Sequence, residues 1–143
     1  MKKYIVLVTF LCGFFAMGQG LLERNVGDFH EIKVYDLIAV NLIKSNDNKV
    51  MIKGPHANDI QLINKDGVLK VRMMLEKKFQ GENTFVEVYY KDLDVIDGNE
   101  GARITANELI AQTSLNLRVQ EGAEIRLGLE VDYLSSKAVT GGI

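Results

Sequence analysis

The chain has 143 residues, a formal net charge of −2, a single cysteine, one proline and no tryptophan. A weakly acidic chain without a basic patch excludes a nucleic-acid partner, and the length suits one domain. Apolar and polar residues alternate with period two along most of the chain and helical periodicity is nearly absent, which predicts an all-β fold.

The N-terminus has the order of a secretory signal peptide. Met1-Lys2-Lys3 is basic, Tyr4 to Phe15 is an uncharged apolar run, and Ala16-Met17-Gly18 ends the run with small residues at its first and third places. We therefore predict that residues 1–18 are a signal peptide and that residues 19–143 form the mature domain. The apolar run is shorter than the roughly 20 residues that a membrane span needs, so no membrane span is predicted in the mature chain.

The only cysteine, Cys12, lies inside this apolar run. Leu11 precedes it where a lipoprotein would have a small residue, so lipid attachment is not predicted. Cleavage would leave no thiol, which excludes disulfides, thiolate metal sites and cysteine nucleophiles. Export to the periplasm, to the outer membrane surface or to the medium is the predicted localisation, and no cofactor is predicted.

Alternating segments separated by turn residues predict a series of short strands. The strands are expected at Ile32–Val34, Ile38–Leu42, Val50–Ile52, Leu69–Leu75 and Phe85–Tyr90. The turns and loops between them are expected at Ser45–Asn48, Gly54-Pro55, Lys65-Asp66-Gly67 and Glu76–Asn83, with one helical turn within His56–Leu62.

A repeat follows these strands. Asn99–Ile104 (NEGARI) returns 21 residues later as Gln120–Ile125 (QEGAEI), and the same shift places Ile96 over Leu117 and Ala138. A fixed period with apolar columns predicts a solenoid, in which parallel strands of successive coils stack. The shift also aligns two oppositely charged pairs, which are expected to attract each other between coils: Asp97 with Arg118 and Arg103 with Glu124.

The third copy of the repeat starts at Lys137 and ends at Ile143, where the earlier copies have Gly101 and Gly122. We therefore expect a solenoid that is truncated at its C-terminus. An open strand edge there would favour self-association of the chain.

Several short motifs follow one another in the order found in a known family. They are Phe29-x-x-Ile32, Val50-x-Ile52-x-Gly54, Lys65-Asp66-Gly67-x-Leu69-x-Val71, and the Gly-Ala turns at 101–102 and 122–123. From about Arg24 onwards the chain resembles the "putative autotransporter adhesin head GIN domain" family. The resemblance implies a right-handed, single-stranded parallel β-helix exported to the envelope or cell surface. The family has no established catalytic residues, so none is assigned here.

Two groups of residues are candidates for chemistry. His30 lies in Asp28-Phe29-His30-Glu31, but neighbours on a strand point to opposite faces, so His30 and Glu31 cannot converge on a metal. Asp92, Asp94 and Asp97 form the densest acidic group; in a β-helix polysaccharide lyase such residues could hold calcium, with Arg118 as the base. Their spacing matches neither an EF-hand nor the calcium-binding nonapeptide repeat. No catalytic, cofactor-binding or metal-binding residue is predicted.

The sequence thus favours an exported, non-catalytic β-helix module with an adhesive, binding or structural role, whose surface ligand is a glycan or a protein. The alternative is a carbohydrate-active β-helix enzyme, a polysaccharide lyase or hydrolase that uses the Asp92–Asp97 region.

Overall fold

The computed structural model describes residues 21–143, so the predicted signal peptide lies outside the described residues. Short 3-10 turns at Ala57–Asp59 and Leu75–Lys77 accompany twelve strands. The strands are β1 (Leu21–Asn25), β2 (Glu31–Val34), β3 (Ala39–Lys44), β4 (Lys49–Lys53), β5 (Ile60–Lys65), β6 (Val68–Met73), β7 (Phe85–Tyr90), β8 (Val95–Gly98), β9 (Arg103–Ala106), β10 (Ile110–Gln120), β11 (Glu124–Arg126) and β12 (Leu129–Val139).

The strands form two six-stranded sheets. The first has the order β1-β4-β7-β3-β9-β11 and the second the order β12-β10-β8-β2-β6-β5. Alternate residues of both sheets point into one apolar core, as the buried Val40 and Leu42 of β3 and the buried Ile32 and Val34 of β2 illustrate. The period-two pattern therefore predicted the buried face of these strands correctly.

The predicted parallel β-helix is wrong, because both sheets are mixed. β1 pairs antiparallel with β4, β4 with β7, and β5 with β6. The cause is clearest at Asp66-Gly67, where both residues have positive φ, 53° and 77°. These are the only two residues between β5 and β6, and a two-residue loop of this type closes an antiparallel hairpin, so β6 returns directly along β5 instead of starting a new coil.

The 21-residue repeat has the predicted register in its first two copies only. β8 and β10 are parallel with Ile96 beside Leu117, and β9 and β11 are parallel with Ile104 beside Ile125. In β12, however, Ala138 lies beside Val119 and not beside Leu117. The third copy is offset by 19 residues from the second, so a constant period of 21 misaligned it.

Four two-residue turns stand in a column and lead from the second sheet towards the first. Their residues all have φ between 50° and 75°, and they are Asp36-Leu37, Glu100-Gly101, Glu121-Gly122 and Thr140-Gly141. Neighbouring turns are joined by backbone hydrogen bonds of 3.0 Å from Leu37 to Glu100, 3.0 Å from Gly101 to Glu121 and 3.3 Å from Gly122 to Thr140. The turn of the third copy is therefore at Thr140-Gly141, contrary to the prediction that Ile143 takes the position of Gly101 and Gly122.

The last residues are hydrogen-bonded to the preceding copy. The Ile143 N–H donates to the Ala123 carbonyl at 3.0 Å, and the Ile125 N–H donates to the Ile143 carbonyl at 2.8 Å. Among the described strands β12 pairs only with β10, and it exposes Tyr133 and Leu134. Self-association through this edge stays a prediction.

The two predicted charge pairs are not formed, although their Cα atoms lie side by side in the sheets. The buried Asp97 carboxylate accepts a hydrogen bond from Asn99 Nδ2 at 3.0 Å and lies 3.5 Å from Lys33 Nζ. Arg118 reaches Glu31 at 3.6 Å instead, and Glu124 pairs with Arg126 on its own strand. Register placed these side chains on neighbouring strands, but other partners were closer.

The core makes a prediction about stability. Ile96 is fully buried between the sheets, so Ile96→Ala should lower the free energy of unfolding by about 2–5 kcal/mol because it leaves a cavity. Leu109→Ala, at a side chain that is 56% exposed, is the matched control and should change it by less than about 0.5 kcal/mol. Urea denaturation of both variants measures the difference, and equal losses would contradict this packing.

Candidate binding surface

The acidic group of the enzyme alternative does not converge. Asp92 is exposed, with one carboxylate oxygen 3.9 Å from Lys44 Nζ, and Asp94 is exposed as well. Asp97 is buried and held by Asn99 and Lys33. Within residues 21–143 no group of three or more His, Cys, Asp or Glu side chains is placed to hold a metal ion. The three aspartates therefore differ in exposure and do not form a metal-binding group in this part of the chain.

The two histidines lie apart and have different neighbours. The His30 ring packs over Gly67, where an added Cβ would come within 2.7 Å of it. His56 Nδ1 lies 3.2 Å from Asp59 Oδ2 across a 3-10 turn. Asp28 and His30 do share an open hollow of about 530 Å³, but Asp28 is held by Asn48 Nδ2 at 2.9 Å. Both histidines therefore make local contacts near the surface and do not converge on one site.

A loop between the sheets exposes several apolar side chains. It consists of residues 74–79 between β6 and β7 and is here called the apolar loop. Its side chains Met74, Leu75 and Phe79 are 42%, 70% and 53% exposed. This loop was not predicted from the sequence, because Leu75 continues the alternation of β6 and residues 76–83 have the composition of a polar loop. The available signal was three apolar residues within six positions of a segment otherwise rich in charge.

The apolar loop is held at both ends by one buried carboxylate. Asp36 is 3% exposed; its Oδ2 accepts a hydrogen bond from the Met73 N–H at 3.0 Å, and its Oδ1 accepts one from the Phe79 N–H at 3.3 Å. The Asp36 main-chain carbonyl accepts a third bond, from the Gly81 N–H at 3.1 Å. Hydrogen bonds to a charged group are stronger than neutral ones. The main chain of the loop is thus fixed on the Asp36-Leu37 turn.

The backbone on both sides of this contact is strained. Leu37 and Phe79 have φ of 64° and 62°, a region in which bulky residues are rarely found because Cβ crowds the backbone. Gly81 is required beside them, since an added Cβ would lie 2.2 Å from the Asp36 carbonyl oxygen. Strain of this kind persists only where the surrounding contacts fix the conformation, and it often occurs at functional sites.

A small cleft of about 180 Å³ adjoins the apolar loop and is here called the cationic cleft. Its lining includes Lys70, Arg72, Lys78 and Tyr35, and it shares Leu75 with the loop. Lys78 Nζ lies 2.9 Å from Glu100 Oε1, and this hydrogen bond raises the lysine pKa. Burial raises the pKa of the Tyr35 hydroxyl.

Comparison with known proteins identifies the family. A sequence model described as "Putative auto-transporter adhesin, head GIN domain" matches residues 28–143, which is most of the chain. The chain belongs to this head GIN domain family. The resemblance seen in the sequence is therefore confirmed. No curated protein is significantly similar to the chain in sequence.

Solved structures share the fold of this head GIN domain. Crystal structures of a "putative adhesin" from Bacteroides fragilis NCTC 9343 and of another from Parabacteroides merdae ATCC 43184 superpose with TM-scores of 0.74 and 0.71, at 16% and 18% identity. A "putative lipid binding protein" from Parabacteroides distasonis ATCC 8503 superposes with a TM-score of 0.58 at 12% identity. The matches cover 85%, 83% and 83% of this chain and 60%, 52% and 62% of those structures, in the same order. At these identities the likeness establishes the fold alone.

The descriptions of the family and of these three structures name adhesion and lipid binding, and none names an enzyme. The helical segments of residues 21–143 include none with the length and apolar character of a membrane span.

The stabilising role of Asp36 in this head GIN domain can be tested by removing its carboxylate. Asp36→Ala should lower the free energy of unfolding by about 1–3 kcal/mol, because two backbone N–H groups lose a charged acceptor. Amide hydrogen exchange at 74–79 should accelerate more than exchange in the core strand β8. Asp47→Ala, in the exposed turn between β3 and β4, is the control and should change neither quantity. Unchanged exchange at 74–79 in Asp36→Ala would show that other contacts fix the loop.

Proposed function

We propose that the chain is an exported, non-catalytic module of the cell envelope or cell surface that adheres to its target through the apolar loop. The observation that carries this proposal is that Met74, Leu75 and Phe79 are exposed together on a loop whose ends are fixed by Asp36. Exposed apolar groups on a pre-ordered segment bind with little loss of conformational entropy. Membership of a family described as adhesins supports the same role.

The enzyme alternative has less support. Its acidic residues are separated into an exposed Asp92 and a buried, hydrogen-bonded Asp97, whereas catalytic carboxylates must converge on one substrate. A binding role needs only an accessible surface, and the apolar loop provides one. The open edge of β12 could add self-association to this role, as an extended edge strand pairs readily with another chain.

Adhesion can be measured with beads that carry the protein. Beads should be retained under flow on at least one of three surfaces: mucin, collagen or a supported lipid bilayer. Leu75→Ser with Phe79→Ser should reduce retention, because each apolar side chain that is buried on contact contributes about 1.5–3 kcal/mol. Leu109→Ser removes another exposed leucine, far from the loop in sequence and 56% exposed, and should leave retention unchanged.

Either of two results would contradict the proposal. One is no retention on any of the three surfaces above that of uncoated beads. The other is retention that the loop variant and the Leu109→Ser control reduce equally, which would indicate non-specific adhesion.

Export makes a separate prediction. We propose that residues 1–18 are removed on secretion, as the basic, apolar and small-residue order of the N-terminus indicates. N-terminal sequencing of the protein recovered from the envelope fraction should begin at Gln19. A sequence beginning at Met1 would contradict this proposal.

A further inference from the structure

The apolar loop and the cationic cleft form one continuous surface. Leu75 belongs to both, because it lines the cleft while 70% of it remains exposed. Lys78 also belongs to both: it lines the cleft, and its ammonium group lies 4.8 Å from the centre of the Phe79 ring. A cation over an aromatic face is held there by the ring quadrupole. The surface therefore presents positive charge and apolar side chains side by side.

The positive charge of the cleft is only partly neutralised. Glu100 pairs with Lys78, and the Asp36 carboxylate already accepts two backbone hydrogen bonds. Lys70 and Arg72 form no ion pair with any side chain of residues 21–143. The cleft can therefore receive an anion without displacing an internal carboxylate.

A ligand for this surface must match both halves. A free phosphate would satisfy the cationic cleft but leave Met74, Leu75 and Phe79 in water. A neutral glycan would offer hydroxyl groups and no negative charge. A bilayer that contains anionic phospholipids offers phosphate groups directly above an apolar layer. Interfacial segments bind such bilayers with Lys or Arg beside Leu or Phe.

We propose that this surface docks the protein on a lipid bilayer that contains anionic phospholipids. The cationic cleft receives a headgroup phosphate, through Lys70 and Arg72, while Met74, Leu75 and Phe79 enter the boundary between headgroups and acyl chains. This inference rests on the proposed function, because it names the partner of the same loop. The Asp36 contacts fix the main chain at both ends of the loop, so that docking requires no rearrangement of its backbone.

Vesicle co-sedimentation tests the proposal. All variants are made as the protein that begins at Gln19, because the basic and apolar residues 1–18 would bind anionic vesicles themselves. Vesicles of phosphatidylcholine with phosphatidylglycerol should bind the protein more tightly than vesicles of phosphatidylcholine alone. Added sodium chloride should weaken this binding, because salt screens attraction between exposed charges.

Two pairs of substitutions separate the halves of the surface. Leu75→Ser with Phe79→Ser should reduce binding to both kinds of vesicle, by about tenfold or more. Lys70→Gln with Arg72→Gln should remove the preference for anionic vesicles, at about fivefold for each cation lost. Lys65→Gln with Lys137→Gln changes the net charge equally at exposed sites elsewhere and should retain the preference. Thermal unfolding of each variant verifies that it is folded.

Three results would overturn the inference. The first is equal binding to neutral and anionic vesicles. The second is that the Lys65/Lys137 control loses the anionic preference to the same extent as the Lys70/Arg72 variant, and the third is that the cleft binds inorganic phosphate while the protein binds no vesicles. If beads are retained on mucin or collagen through the loop while vesicles do not bind, the inference fails and the proposed adhesive role stands. If the loop substitutions affect neither assay, both fail.

Discussion

The structure depends on one kind of turn, made of two consecutive residues in the left-handed region. Such turns connect the two sheets in a column, and the main-chain hydrogen bonds between successive turns set the spacing of the strands that follow. In three members of the column the second residue is a glycine, which adopts this positive φ without strain. The first member, Asp36-Leu37, keeps the same backbone without glycine. The first residue of this turn, Asp36, supplies the carboxylate that holds the apolar loop.

The features of the fold that depend on a single sequence pattern could be predicted from the sequence. Alternation identified the strands around the core and their buried faces, and the Glu-Gly-Ala repeat identified the register of Ile96 on Leu117 and of Ile104 on Ile125. Alternation does not state which strands become neighbours. The sequence predicts a turn at Lys65-Asp66-Gly67 but not the antiparallel hairpin that this turn forms, and the β-helix prediction is wrong for that reason.

The binding surface could not be predicted from the sequence, for a different reason. Leu75 satisfies the alternation of β6 although the strand ends at Met73, and nothing in a pattern of polar and apolar letters shows that Phe79 stays in water. Asp36 carries no sequence signal either, because Leu37 is an unusual second residue for such a turn. Its role comes from three backbone groups that are 37 to 45 positions further along the chain.

The Asp36 contacts involve only the main chain of the loop. Its oxygens accept from the N–H groups of Met73, Phe79 and Gly81, and no side chain of the loop takes part in these bonds. Apart from the glycine at 81, the support of the loop is therefore independent of what its exposed residues are. Met74, Leu75 and Phe79 can be exchanged for other side chains without loss of these hydrogen bonds. The same framework could thus present different recognition chemistries, so that target preference can diverge among related chains while the sheets stay the same.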